Sequence, residues 1–93
     1  MGEIALMRED DLSILVVDEN RLRARVIEDA LHEAGYVRVV VVHEISGLVR
    51  RIEETAPDVI VIDIENPNRD ALESLFQVSR SVQRPIAMFV DHS

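Results

Sequence analysis

The chain predicts an α/β fold, a parallel sheet with helices on both faces. Three observations point there. Short β-rich apolar runs recur, "LSILVV" at 12–17, "VRVVVV" at 37–42, "VIVI" at 59–62 and "IAMFV" at 86–90. The stretches between them carry apolar residues at helical spacing. The runs are apolar on both faces instead of alternating, as strands sandwiched between helices require.

The elements follow in order. Residues 1–11 read as an N-terminal extension and residues 12–93 as one domain. Leu12 to Val17 forms the first strand, ending at Asp18, Glu19 and Asn20. A helix runs from about Arg21 to Ala34, with Leu22, Val26, Ile27, Ala30, Leu31 and Ala34 as its apolar stripe. Gly35 stands where a left-handed helix end wants glycine. Val37 to Val42 is the second strand, and Ser46 caps a helix whose stripe is Leu48, Val49, Ile52 and Ala56. Pro57 and Asp58 end that helix, and Val59 to Ile62 is the third strand. Asp70 to about Arg80 is the third helix, with Leu72, Leu75, Phe76 and Ser79 turned inward. Pro85 opens the fourth strand.

Composition narrows the function. Hydrophobic residues make up 47% of the 93, enough to fold a small domain. A formal charge of −8 repels phosphate backbones, so a nucleic-acid partner is not expected. The chain has no cysteine, which removes disulfides and thiolate metal sites. Its apolar runs are too short to span a bilayer, and MGEIALMREDD carries acids where a secretory signal carries bases. The expected address is the cytoplasm, with no membrane partner.

Ligands of open α/β sheets bind at the C-terminal edge of the strands. Asp18 and Glu19 end the first strand and Asp63 ends the third, so if these strands are neighbours three carboxylates meet at one mouth. Two like charges ~4 Å apart repel by ~4 kcal/mol at an effective dielectric of 20. A shared proton, a basic neighbour or a cation must compensate. Oxygen ligands with no His or Cys beside them favour Mg²⁺ as the cofactor. The bases Arg21, Arg23 and Arg25 read as the solvated face of the first helix, and His32 and His43 as surface residues, with His92 in the tail. No Gly-rich phosphate loop and no nucleophile–His pair occurs, so the chain is not expected to be an enzyme.

"ILVVDEN" and "PDVIVIDIENPNRD", with Asp18–Glu19, Asp63 and Pro67 in order, resemble the receiver domain of bacterial two-component response regulators. Pro57–Asp58 and Pro85–Ile86 match as well. "DIENPNRDALE" and "PIAMFVD" resemble more closely the nitrate-responsive antiterminator regulators, in which a receiver is joined to an RNA-binding ANTAR domain. The resemblance implies a flavodoxin-like sheet of order 2-1-3-4, truncated before the last strand and helices. It implies Asp63 as phosphoryl acceptor, attacking phosphorus as a carboxylate nucleophile. It implies Asp18, Glu19, Asp63 and the Glu65 carbonyl as Mg²⁺ ligands, and Pro67 as the residue shaping the turn. The partner would be a sensor histidine kinase or other sensor protein, and the output transcription antitermination.

The resemblance departs in two places. The position for a Ser or Thr is Val90, or Asp91 if the register slips, and the chain contains no Lys to bind the phosphoryl group. These departures favour the alternative of a receiver-like module that binds a sensor without phosphate. A Mg²⁺-dependent phosphatase would need a DxD motif, which "DEN" does not match. With the fourth strand at the sheet edge, "IAMFV" has no charge to blunt pairing, so a homodimer or larger assembly is expected through that edge and the exposed sheet face. Ile4 to Met7 could cover part of the same gap.

Overall fold

Strands and helices alternate without exception along residues 11–91, the part of the chain that the computed structural model describes. The order is β1 Ser13–Asp18, α1 Arg21–Glu33, β2 Arg38–Val42, α2 Leu48–Thr55, β3 Val59–Glu65, α3 Arg69–Ser81 and β4 Ile86–Asp91. The strands pair in parallel in the order β2-β1-β3-β4, the order expected. The segment Ile4 to Met7 and His92 lie outside the described residues.

The two faces of the sheet are covered unequally. Leu15, Val17, Ile60, Ile62 and Ile64 face α2 and α3 and join Leu48, Ile52, Leu75 and Val78 in one buried core. The other face carries Ile14 and Val16 of β1 with Val59 and Val61 of β3, in register. Here α1 packs over β1 and β2. Burial falls away from it: Ile14 and Val16 are buried, Val59 and Val61 are half-buried, and Phe89 of β4 is 59% exposed.

Local chemistry sets the boundaries. Asn20 caps α1 by accepting from the Arg23 amide at 2.9 Å, and Asn68 caps α3 by accepting from the Ala71 amide at 2.8 Å. At the end of α1, Gly35 has φ +106°, its amide donates to the His32 carbonyl, and the Tyr36 amide donates to the Leu31 carbonyl. That is the paired bonding of a Schellman end, which needs a left-handed residue. Asp58 clasps the start of the sheet: its carboxylate accepts from the Ser13 amide and its own amide donates to the Ser13 carbonyl.

Several sequence expectations shift. The third strand does not stop at Ile62; it continues through Glu65, because Ile64 extends the buried alternation of Ile60 and Ile62. Gly47, at φ +72°, is the residue before α2, and Ser46 is not its cap. On α1 the face toward the sheet is Ala24, Ile27 and Leu31, whereas Leu22 and Val26 are 78% and 63% exposed. The small Ala24 lets the helix sit close to β1, and this phase brings Arg23 to the strand ends. On α3 the inward residues are Leu75 and Val78, while Phe76 and Ser79 are exposed.

Candidate functional site

The register of β1 and β3 sets Asp18 directly beside Asp63 at the C-terminal edge of the sheet. Directly paired residues of adjacent strands share one face, so the two carboxylates emerge side by side on the α1 face. Their burial differs. Asp18 is fully buried, whereas the Asp63 side chain keeps 24% of its surface open to solvent.

A buried carboxylate needs partners, and Asp18 has three. Its Oδ1 accepts from the Asn20 amide at 2.9 Å and from Arg23 Nη2 at 2.7 Å, and its Oδ2 accepts from Arg23 Nε at 2.7 Å. The guanidinium thus grips Asp18 with a two-pronged fork, the strong geometry for an Arg–carboxylate pair. Arg23 Nη1 donates to Glu65 Oε1 at 3.1 Å, and Nε lies 3.4 Å from Asp63 Oδ2. One cation therefore touches three acids from two strands. The Asp18 bond chiefly holds the guanidinium proton above its ordinary range, against the opposing cost of burial and with smaller help from Glu65 and Asp63.

Of the three ways to relieve the crowded acids, the structure holds the basic neighbour. Arg23 is not on a solvated face, as the sequence suggested; it lies across the mouth. It sits in the first turn of α1, where the helix macrodipole disfavours a cation, and the three carboxylates offset that penalty. A basic residue in a first turn, five positions after a strand-end Asp, was the available signal. Glu65, expected to contribute only its carbonyl, also engages its side chain. His43, read as a surface residue, is half-buried and hydrogen-bonds through Nδ1 to the Asp18 carbonyl at 3.0 Å, tying the end of β2 to β1.

The expected Mg²⁺ set fits this arrangement poorly. Both Asp18 oxygens are committed to Arg23. Glu19 lines a separate open hollow of about 280 Å³ with His43, Glu44, Ile45, Asn68 and Asp70. Among the described residues, no group of three or more His, Asp or Glu is arranged to hold a metal. A cation at Asp18, Glu19, Asp63 and the Glu65 carbonyl requires Arg23 to release Asp18. Beyond Asp63 the chain turns through Asn66, at φ +45°, a left-handed value that Asn tolerates, and the half-buried Pro67. Val90 lies in register with Ile64; its side chain, and that of Asp91, lie outside what is described.

Comparison with known proteins agrees with this architecture. The family described as response regulator receiver domain matches residues 14–93. A protein-glutamate methylesterase/protein-glutamine glutaminase of Koribacter versatilis is 32% identical over 89 residues, covering 94% of this chain and 24% of that protein. A protein of the same description from Trichodesmium erythraeum is 35% identical over 79 residues, covering 82% of this chain and 22% of that protein. The chain thus spans about a quarter of the length of these curated relatives. A solved fusion of the yeast Spc42 trimeric coiled coil superposes with a TM-score of 0.72 over 94% of this chain and 59% of that one. At 24% identity that likeness concerns the fold alone.

Proposed function

The chain belongs to the response regulator receiver family, and from that premise we propose that Asp63 is its phosphoryl acceptor. The observation that carries this reading is the pairing of Asp63, at a solvent-open strand end, with the buried Asp18–Arg23 ion pair. An Asp63 oxygen attacks the phosphorus of a phosphohistidine on a sensor kinase. The new O–P bond forms as the N–P bond breaks, and the departing imidazole keeps the electron pair. The incoming group brings negative charge, and Arg23, 3.4 Å from Asp63, is the cation at hand in a chain without Lys. Both carboxylate oxygens of Asp18, one of the ligands expected for Mg²⁺, are held by Arg23. We place the protein in the cytoplasm; among the described residues no helix is long and apolar enough to cross a membrane.

Incubation with acetyl phosphate tests the acceptor. Labelling is expected to be slow, confined to Asp63 and lost in Asp63→Asn, as read by intact-mass spectrometry. A label on another residue would remove Asp63 from the role. A second reading, sensor binding without phosphate, is favoured by the same ion pair, since Asp18 is already satisfied. A sensor that binds wild type and Asp63→Asn equally, with no labelling by its kinase, would establish it. The output we favour is antitermination through an RNA-binding segment, read from "DIENPNRDALE". The methylesterase description of the relatives makes a catalytic output the competing assignment.

Assembly follows from the uneven sheet. Among the described residues β4 is the outermost strand on its side of the sheet, and Met88 and Phe89 on its two faces are 39% and 59% exposed. A second copy that pairs along β4 satisfies its outer backbone groups and covers these side chains. Light scattering is expected to report a dimer, and Phe89→Asp to shift it toward monomer. A monodisperse wild-type monomer at high concentration would contradict this assembly.

A further inference from the structure

We propose that Arg23 is the resident counter-ion of this acidic pocket, and that a divalent cation enters only by displacing it from Asp18. The inference deepens the reading of the mouth as a receiver's acceptor site and rests on it. It is carried by the geometry of one side chain.

Asp18 is fully buried, so its charge needs a partner that does not depend on solvent. The guanidinium supplies two bonds of 2.7 Å, one to each carboxylate oxygen, and spans from there to Asp63 and Glu65. Asp18 and Asp63 are two of the acids that a divalent cation would have to share, Glu19 being the third. The backbone of Arg23 is pinned as well, because its amide is held by the Asn20 cap. Arginine cannot leave by losing its proton in any accessible pH range. With Asp18 ionised, another cation must take the place of Arg23 for the carboxylate to be freed without unfolding. Arg23 and the metal therefore compete for the same two oxygens, and apparent metal affinity carries the cost of breaking the fork.

The measurement is Mn²⁺ binding, followed by calorimetry and by the electron paramagnetic signal of the free ion, on the whole 93-residue chain. Wild type is expected to bind weakly. Arg23→Gln removes the competing charge and is expected to bind about ten-fold more tightly or better, since a like charge ~4 Å away opposes the incoming cation even when partly screened. Arg23→Lys keeps the charge but loses the two-pronged fork, and is expected to fall between them. The double variant Asp18→Asn with Arg23→Gln is expected to lose the gain, because the shared ligand is gone. Equal affinity in wild type and Arg23→Gln would overturn the proposal, as would a gain that survives in the double variant. If Arg23→Gln does not fold without metal, recovery of a cooperative melt on adding Mn²⁺ supports displacement. Failure to recover, together with Arg23→Lys binding no more tightly than wild type, overturns it. Because binding is read without any phosphodonor, the result stands apart from whether Asp63 is labelled.

Discussion

Arg23→Ala is expected to destabilise the chain by about 3 kcal/mol in metal-free buffer. The cause is asymmetric. Removing the arginine leaves a fully buried carboxylate with the Asn20 amide as its remaining partner, and an unpaired buried charge is among the costliest defects a fold can carry. The figure sits at the low end of the range for broken buried pairs because the Arg23 side chain is 29% exposed, so solvent screens part of the interaction. Asp18→Ala removes the charge itself and leaves Arg23 able to engage Asp63 and Glu65, so it is expected to cost less, about 1–2 kcal/mol. Asp18→Ala in the Arg23→Ala background should restore part of the loss, giving a coupling energy above about 1 kcal/mol. Urea unfolding of the four chains measures this cycle. An Arg23→Ala chain that is no less stable than Asp18→Ala would mean that Asp18 does not depend on the arginine.

The sequence carried the fold further than it carried the site. Parallel β-rich runs separated by helical periods have few alternative arrangements, so element order, strand order and the meeting of Asp18 with Asp63 were legible. The phase of α1 was not. Leu22 and Val26 make an apolar stripe on paper, yet they point outward because Ala24 seats the helix and Arg23 turns toward the strand ends. Arg23 itself was hidden among Arg21 and Arg25, since helical spacing alone cannot tell which of three alternating bases faces a carboxylate 42 residues later in the chain. Phe76 misled for a related reason. Its helix position suggests an inward side chain, but Leu75 and Val78 set the buried face of α3 and leave Phe76 58% exposed.

The two neighbouring residues Val61 and Ile62 provide a test of the uneven cover. Ile62→Ala is expected to cost about 3–4 kcal/mol, because Ile62 is fully enclosed between β3 and the α2–α3 layer and its removal leaves a cavity that the close-packed core cannot collapse. That is a large part of the total stability of a domain this size, about 5–14 kcal/mol by the usual per-residue range. The melting temperature should fall by about 15 °C or more. Val61→Ala, one residue earlier on the opposite face, is expected to cost only about 1 kcal/mol, because Val61 is half-buried and loses less transfer energy. The contrast also reads the assembly. If a second copy covers the α1 face in solution, the Val61→Ala cost should grow with protein concentration while the Ile62→Ala deficit keeps its intramolecular part. A Val61→Ala loss as large as that of Ile62→Ala in dilute monomer would show that something within the chain already covers this face, and the uneven sheet would not describe the protein in solution.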